Sequence, residues 1–420
     1  MLLETAMVPR ALEIIVQDLL LASRNLLRHR RRSLLALTTV GGGVIAFLLA
    51  GGFIHWIFQD LRESTIHSQL GHIQIVRPGF LTGGQADPYR YLIDQSPEAT
   101  IKPGDVDALE TVAPRLSFGG LLSKGDATVS FLGEGIDPTR EAPISRAITI
   151  IKGKDLTEAP TNAVLLGEGL AASVGAVPGD RVVLLATTAA GGVNAVECVV
   201  SGIFATVTKA YDDTVLRAPI DIARSLMRVE GATSWVVLLK DTSRTDEAVA
   251  RLRSLLNADQ FEIVPWHQLA DFYNKTVELF SRQIGVVRLL IALIVILSIS
   301  NTLTMSVLER TNEIGTSMAL GIRRNGIMRL FISEGVLIGL VGGVGGVVIG
   351  LILAQIISAV GIPMPPPPGM ARGFTGQIVI SVSLALDALT LAVGTTLLAS
   401  LFPAWKASRM NIVDALRHQR

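Results

Sequence analysis

Gly335–Met370 reads GVLIGLVGGVGGVVIGLILAQIISAVGIPMPPPPGM, 36 residues without Asp, Glu, Lys or Arg. Three further uncharged stretches occur: Ser33–Gln59 with 27 residues, Leu289–Leu308 with 20 and Ala388–Trp405 with 18. About 20 apolar residues of helix cross the hydrocarbon core of a bilayer. Each stretch is therefore long enough to span, the last once it is extended upstream past Asp387. Inside lipid the backbone must satisfy its own hydrogen bonds, which dictates helices rather than strands. The expected fold class is an α-helical membrane protein with four transmembrane helices and a large mixed α/β extracytoplasmic domain between helices 1 and 2.

The expected boundaries run as follows. Residues 1–32 form a cytoplasmic amphipathic or elbow helix and 33–59 the first span. Residues 60–281 form the periplasmic α/β domain and 282–308 the second span. A cytoplasmic coupling helix occupies 309–329, the third span 330–360 and a periplasmic Pro-rich loop 361–377. The fourth span covers 378–404 and a cytoplasmic tail 405–420.

Charged residues make up 17% of the chain, against roughly 25% in soluble domains, and mean hydropathy is +0.49. The formal net charge of +1 hides a segregated distribution and points to no partner, nucleic acid included. A single cysteine, Cys198, excludes an intramolecular disulfide. The first apolar run is too long for a signal-peptide core and lies behind some thirty residues, so it reads as a signal-anchor.

Orientation follows from the basic residues. Arg24, Arg28, Arg30, Arg31 and Arg32 precede the first span. Arg310, Arg323, Arg324 and Arg329 lie between the second and third, and Lys406, Arg409, Arg417 and Arg420 follow the fourth. Only Arg372 lies between the third and fourth. The positive-inside rule puts both termini and the middle connection in the cytoplasm, and the large insert outside. Leu12–Leu27 has apolar residues near helical spacing, consistent with an amphipathic helix on the inner surface or with a plain positive-inside anchor.

In the insert, Ile73–Val76, Thr128–Leu132, Arg181–Leu185, Val196–Val200 and Ser234–Leu239 read as strands. Asp246–Leu256 reads as a helix with Ala248, Leu252, Leu255 and Leu256 on one face. Catalytic signals are absent. The six histidines are scattered, with only His67 and His72 close together, and no nearby carboxylate or thiolate set suggests a metal site. No G-x-S-x-G elbow occurs, and Gly153-Lys154 lacks the rest of a phosphate-binding loop. The chain reads as a non-enzyme that binds no cofactor.

The connection Leu308–Arg324 is too short for a domain. Ile314, Met318, Leu320 and Ile322 make an apolar element too small to bury itself, and Gly315 and Gly321 bracket about one and a half turns. Such an element suits a groove on a cytoplasmic partner, or lies flat on the headgroups. In the third span, Gly335, Gly339 and Gly343 form one line of small residues and Gly342, Gly346 and Gly350 another. Such lines let helix backbones approach closely. One line is expected to pack on span two or four, the other to face a second copy; a flexible or kinked helix is the plainer alternative. Arg288, Glu334 and Asp387 sit near span ends, where snorkelling to the interface accounts for them.

Several motifs in order carry a family resemblance. Glu309-Arg310-x-x-Glu313-Ile314-Gly315-x-x-x-Ala319-Leu320-Gly321 is followed by Ile327-x-x-x-Phe331-x-x-Glu334-Gly335. Ala22-Ser23-Arg24-Asn25-Leu26 precedes the first arginine cluster. Leu166-Gly167-x-x-Leu170-Ala171 leads to Gly179-Asp180-x-Val182 and Val200-x-Gly202-Ile203-Phe204. Pro403-Ala404-x-x-Ala407-Ser408-Arg409 and Asp414-Ala415-Leu416-Arg417 close the chain. Together these resemble FtsX/MacB-like permeases, the membrane subunits of type VII ABC transporters. In length, and in Gly71-His72-Ile73-Gln74-Ile75, the chain is most similar to the lipoprotein-releasing LolC/LolE-type branch.

The resemblance implies mechanotransmission: a separate cytoplasmic ATPase of the MacB/LolD type binds ATP and Mg, and its closure moves the periplasmic domain. It assigns ATPase coupling to Glu309, Arg310, Glu313, Ile314, Gly315, Met318, Ala319, Leu320 and Gly321. Met318 departs from relatives, which often carry Lys or Arg there. A second permease, identical or paralogous, is implied, as is a lipid or lipoprotein cargo and a periplasmic carrier or adaptor. Ile362–Gly369 is expected to be extended and largely polyproline in form; its Met364, Pro365, Pro366, Pro367 and Pro368 are candidate cargo contacts, with a rigid spacer as the plainer reading. A MacB-like efflux permease and an FtsX-like regulator of a cell-wall hydrolase are the alternatives.

Overall fold

A computed structural model describes residues 10–84, 87–102, 104–366 and 373–411. The chain divides into two compact units. One comprises Met1–Ile57, Glu278–Ile362 and Thr375–Arg420, the other Phe58–Val277 with Pro363–Phe374.

Among the described residues, four helices are long and apolar enough to cross a membrane. They are Arg30–Thr65, Asp271–Glu309, Arg324–Val360 and Val382–Ser408. A shorter helix, Arg10–Arg28, precedes them. The first long helix continues through a wider turn, Ile66–Leu70. The fourth is capped by Ser381, whose hydroxyl accepts the Leu384 N–H at 3.2 Å.

The helical core joins Ala36, Val40, Val44 and Leu48 of the first long helix to Val295, Ile299 and Leu303 of the second. Ile338 of the third and Ala388, Ala392 and Ala399 of the fourth complete it. Glycine decides where the third helix packs. A Cβ at Gly335 would lie 2.6 Å from Ser400 Cβ, and those at Gly339 and Gly343 would meet Thr396 and Ala392, so this line abuts the fourth helix. A Cβ at Gly346 would lie 2.8 Å from the Gly41 carbonyl oxygen, while Gly342 faces Val40 and Gly350 faces Leu48. The second line thus packs against the first helix of the same chain, not against a second copy. Close approach of two backbones leaves no room there for another molecule. The helix assignment is continuous from Arg324 to Val360.

Ile362–Met364 is not polyproline but a short strand paired with Phe374–Gly376. Pro365 and Pro366 are exposed; Pro367, Pro368 and the Asp414–Arg417 motif lie outside the described residues.

The second unit is built on strands β1 (Ile73–Val76), β2 (Leu109–Lys124), β3 (Ala127–Ile136), β4 (Thr149–Gly153) and β5 (Ala163–Gly167). It continues with β6 (Arg181–Thr187), β7 (Val193–Ala205), β8 (Val215–Pro219), β9 (Ser234–Leu239) and β10 (Glu262–Pro265). Their order is β10-β1-β9-β2-β3-β8-β5-β7-β4, with β6 joining β2 to β7. The pairings β2–β3–β8–β5–β7–β6–β2 therefore close a ring, which leaves those strands no open edge. Its core contains Leu116, Phe118, Phe131, Leu166, Val200 and Leu216.

The strands β10, β1, β9 and the start of β2 make an antiparallel lobe. It is covered by helix Thr245–Leu255, with Ala248, Val249 and Leu252 packed on Ile73, Trp235 and Ile263. Leu255, expected on the buried face, is 41% exposed. The long strand β2 serves both halves, and the change occurs at Arg115, which is in register with Ser234 of β9 and Ile136 of β3.

Candidate functional site: the connector between the second and third long helices

The connector folds into the helix Thr311–Ala319. Its start follows Arg310, and its end is set by Gly321, whose φ of +100° suits glycine. There the Ile322 N–H donates to the Ser317 carbonyl and the Gly321 N–H to the Met318 carbonyl, both at 3.1 Å. This is the Schellman arrangement that satisfies the last carbonyls of a helix. Gly315 lies inside the helix and is buried, so it does not bracket it as the spacing suggested.

The apolar residues divide into two sets. Ile314 and Met318 are buried against Val307, Ile327, Phe331, Ala404 and Ala407. This corrects the expectation of an element unable to bury itself: the ends of the second, third and fourth long helices supply the missing core. A charge in place of Met318 would face these apolar neighbours. Ala319, Leu320, Gly321 and Ile322 point outward, with Leu320 82% exposed.

A chain of ion pairs holds the connector. The Glu334 carboxylate accepts hydrogen bonds from Asn25 Nδ2 and Arg310 Nη1, each at 2.8 Å. Arg310 also donates through Nε to Glu313 at 3.2 Å and sits 5.6 Å over the Phe331 ring. Glu313 is 3.2 Å from Arg28, Glu309 pairs with Arg32, and Arg329 lies 3.5 Å from Asp18. Glu334 is therefore not a snorkelling charge. It is 3% exposed and joins the helix Arg10–Arg28, the connector and the third long helix. Sequence reasoning missed this role, and Asn25 with it, because spacing along a chain does not show which distant donors converge on one carboxylate. Both residues nevertheless lie within the family-like motifs.

The arrangement supplies no nucleophile or metal cage. Among the described residues, no group of three or more His, Cys, Asp or Glu could hold a metal ion. His67 and His72 have ring centroids 6.1 Å apart. His72 Nδ1 accepts the Leu239 N–H at 3.1 Å, so its proton sits on Nε2 and is directed at Thr242 Oγ1, 3.0 Å away. What the connector offers is a fixed, outward-facing apolar tip on a clamped base.

Long apolar helices, a strand-rich domain between the first two and a clamped connector between the next two define a membrane-type permease architecture. Family models agree. The MacB-like periplasmic core domain matches residues 33–255, more than half of the chain, and the FtsX-like permease C-terminal domain matches 285–412. The chain belongs to the FtsX/MacB-like family of ABC transporter permeases.

Among relatives, an uncharacterized ABC transporter permease of Methanocaldococcus jannaschii is 26% identical over 52% of this chain and 54% of its own length. The macrolide export ATP-binding/permease protein MacB of Hyphomonas neptunium is 31% identical over 49% of this chain and 30% of its own. The lipoprotein-releasing system transmembrane protein LolC of Xylella fastidiosa is 25% identical over 73% and 77%. The chain thus spans about half of the archaeal relative and under a third of the MacB protein.

Proposed function

We propose that this chain is the non-catalytic membrane subunit of an ABC transporter that works by mechanotransmission. Its four long helices cross a bacterial inner membrane. Both termini and the connector lie in the cytoplasm and the strand-rich domain lies in the periplasm, a reading supported by the arginine distribution. A separate cytoplasmic ATPase of the MacB/LolD type binds ATP and Mg and docks on Ala319, Leu320, Gly321 and Ile322. A second permease, identical or paralogous, completes the membrane part.

The observation that carries this reading is the division of the connector: Ile314 and Met318 are buried while Leu320 is 82% exposed. A large apolar side chain held out on an ion-paired base is what a partner's groove requires. The lever has support in helix length. The first long helix runs 41 residues to Leu70 and the second 39, about 60 Å each at 1.5 Å per residue, twice the thickness of the hydrocarbon core.

The cargo we favour is a lipoprotein or lipid extracted from the membrane, with Met364, Pro365 and Pro366 as candidate contacts and a periplasmic carrier as receiver. The likeness to LolC, running over about three quarters of both chains, supports it. MacB-like efflux through a periplasmic adaptor is the second reading, favoured by the higher identity to MacB.

Co-purification with a cytoplasmic ATPase of the MacB/LolD type, comparing wild type with Leu320→Asp, tests the docking. Loss of ATPase recovery from Leu320→Asp with unchanged permease yield is expected. Equal recovery and equal ATPase stimulation would remove the connector from the coupling role.

A further inference from the structure

The turn Ile66–Leu70 ends the first long helix with carbonyls that no further turn can satisfy. Two of them are met by guanidiniums from the strand-rich domain. Arg217 Nη2 donates to the Ser68 carbonyl at 2.9 Å, and Arg115 Nη1 donates to the Gln69 carbonyl. Both arginines are buried, Arg217 at 1% exposure and Arg115 at 4%. Cationic donors here also face the negative end of the helix dipole.

Buried guanidiniums are costly unless fully paired, and here they are. Arg115 forks onto both carboxylate oxygens of Glu141. Arg217 donates from Nε to Glu134 Oε2 at 3.0 Å and from Nη1 to Ser145 Oγ at 2.7 Å. Burial alone would raise the Glu134 carboxyl, but Arg217 and Arg115 hold it below its ordinary value. The cluster is neutral overall.

Its position is the point of interest. Arg115 is the residue at which β2 leaves the antiparallel lobe and joins the ring. Arg217 and Glu134 are register partners on β8 and β3 of the ring. Glu141 closes the turn Pro138–Glu141 that follows β3. One buried cluster therefore touches the helix end, the lobe and the ring. Apolar side chains of equal volume would give similar stability; what the guanidiniums add is direction, because a planar fork fixes the angle of what it holds.

We propose that Arg115 and Arg217 are positioning residues that grip the last carbonyls of the first long helix, so that the helix end, lobe and ring move as one body. The use of this grip rests on the mechanotransmission reading, but the grip itself is tested without it.

The test is hydrogen exchange on the full chain in nanodiscs. It compares wild type with Arg217→Met/Glu134→Gln, which keeps the cluster neutral. Exchange in the peptide covering residues 66–72 is expected to rise ten-fold or more while peptides from β5 and β7 stay unchanged. Unchanged protection at 66–72, or equal acceleration throughout the ring, overturns the proposal. Should the double variant fail to fold, Arg217→Lys carries the test: it keeps the charge and loses the fork. The same local acceleration is expected, and its absence overturns the grip.

A second arm separates the two readings. Spin labels on the antiparallel lobe and on the ring are each followed in distance from a label on the second long helix, on adding the ATPase with a non-hydrolysable ATP analogue. No movement in wild type sinks mechanotransmission and leaves the exchange result standing. Movement that keeps its amplitude in an exchange-loosened variant overturns the proposed use of the grip.

Discussion

Arg310 and Glu334 meet at 2.8 Å, Nη1 to Oε1, with their side chains 11% and 4% exposed. Glu334 belongs to the third long helix and Arg310 follows the second, so one ion pair fixes the two ends between which the connector is strung. Asn25 on the same carboxylate brings in the N-terminal helix.

Removing one partner of a buried pair leaves the other uncompensated, at a cost of about 3–5 kcal/mol. Glu334→Leu is expected to lose stability on that scale, whereas Glu334→Gln keeps an acceptor for Asn25 and loses less. Thermal unfolding of the purified protein in detergent would show it. A Glu334→Gln midpoint equal to that of wild type would mean that the charge is not needed.

Backbone contact at Gly346 leaves no room for a methyl group, since an added Cβ would meet the Gly41 carbonyl oxygen and Val44 Cβ, both at 2.8 Å. Gly346→Ala is expected to destabilise by about 1–3 kcal/mol. Gly345→Ala, where nothing lies within 4 Å, serves as the control and is expected to be neutral or slightly stabilising. The difference between the two midpoints is the measurement.

Met318 is 8% exposed and its neighbour Leu320 82%. Met318→Lys is expected to cost about 1–3 kcal/mol, because an ammonium replaces a thioether among apolar groups. Leu320→Lys is expected to leave stability within about 0.5 kcal/mol. Parallel melting curves check this, and a stable Met318→Lys would show that the long side chain reaches water.

Burial lowers His72 to about 4, with His67 adding to the effect. The unfolded chain then binds a proton that the folded chain refuses between pH 6.5 and 4. Stability from this residue is present above pH 6.5 and is lost as pH falls through that window, on the order of 2–3 kcal/mol in all. Unfolding midpoints from pH 7.5 to 4 should decline for wild type and flatten for His72→Gln. Parallel slopes for the two would assign the decline to other groups.

Strand signals of two kinds behave differently. Ile73–Val76 and Ser234–Leu239 are β-branched runs bounded by turn formers, and both occur with the bounds their sequence suggests. The longest strand, Leu109–Lys124, escaped notice because Pro114 and Gly119-Gly120 interrupt it. Those breaks are tolerated because β2 pairs with different partners along its length, β9 before Arg115 and β3 after it.

The spacing of charges by itself determined where the long apolar helices lie, and the order of motifs determined the family, because both are properties of the chain read in one dimension. Which helix each glycine line faces, that Met318 turns inward while Leu320 turns outward, and that Glu334 and Arg217 are each shared among several elements were decided only by the tertiary structure. A buried charge persists only where donors and acceptors from distant segments converge on it, and that convergence is a fact of three dimensions.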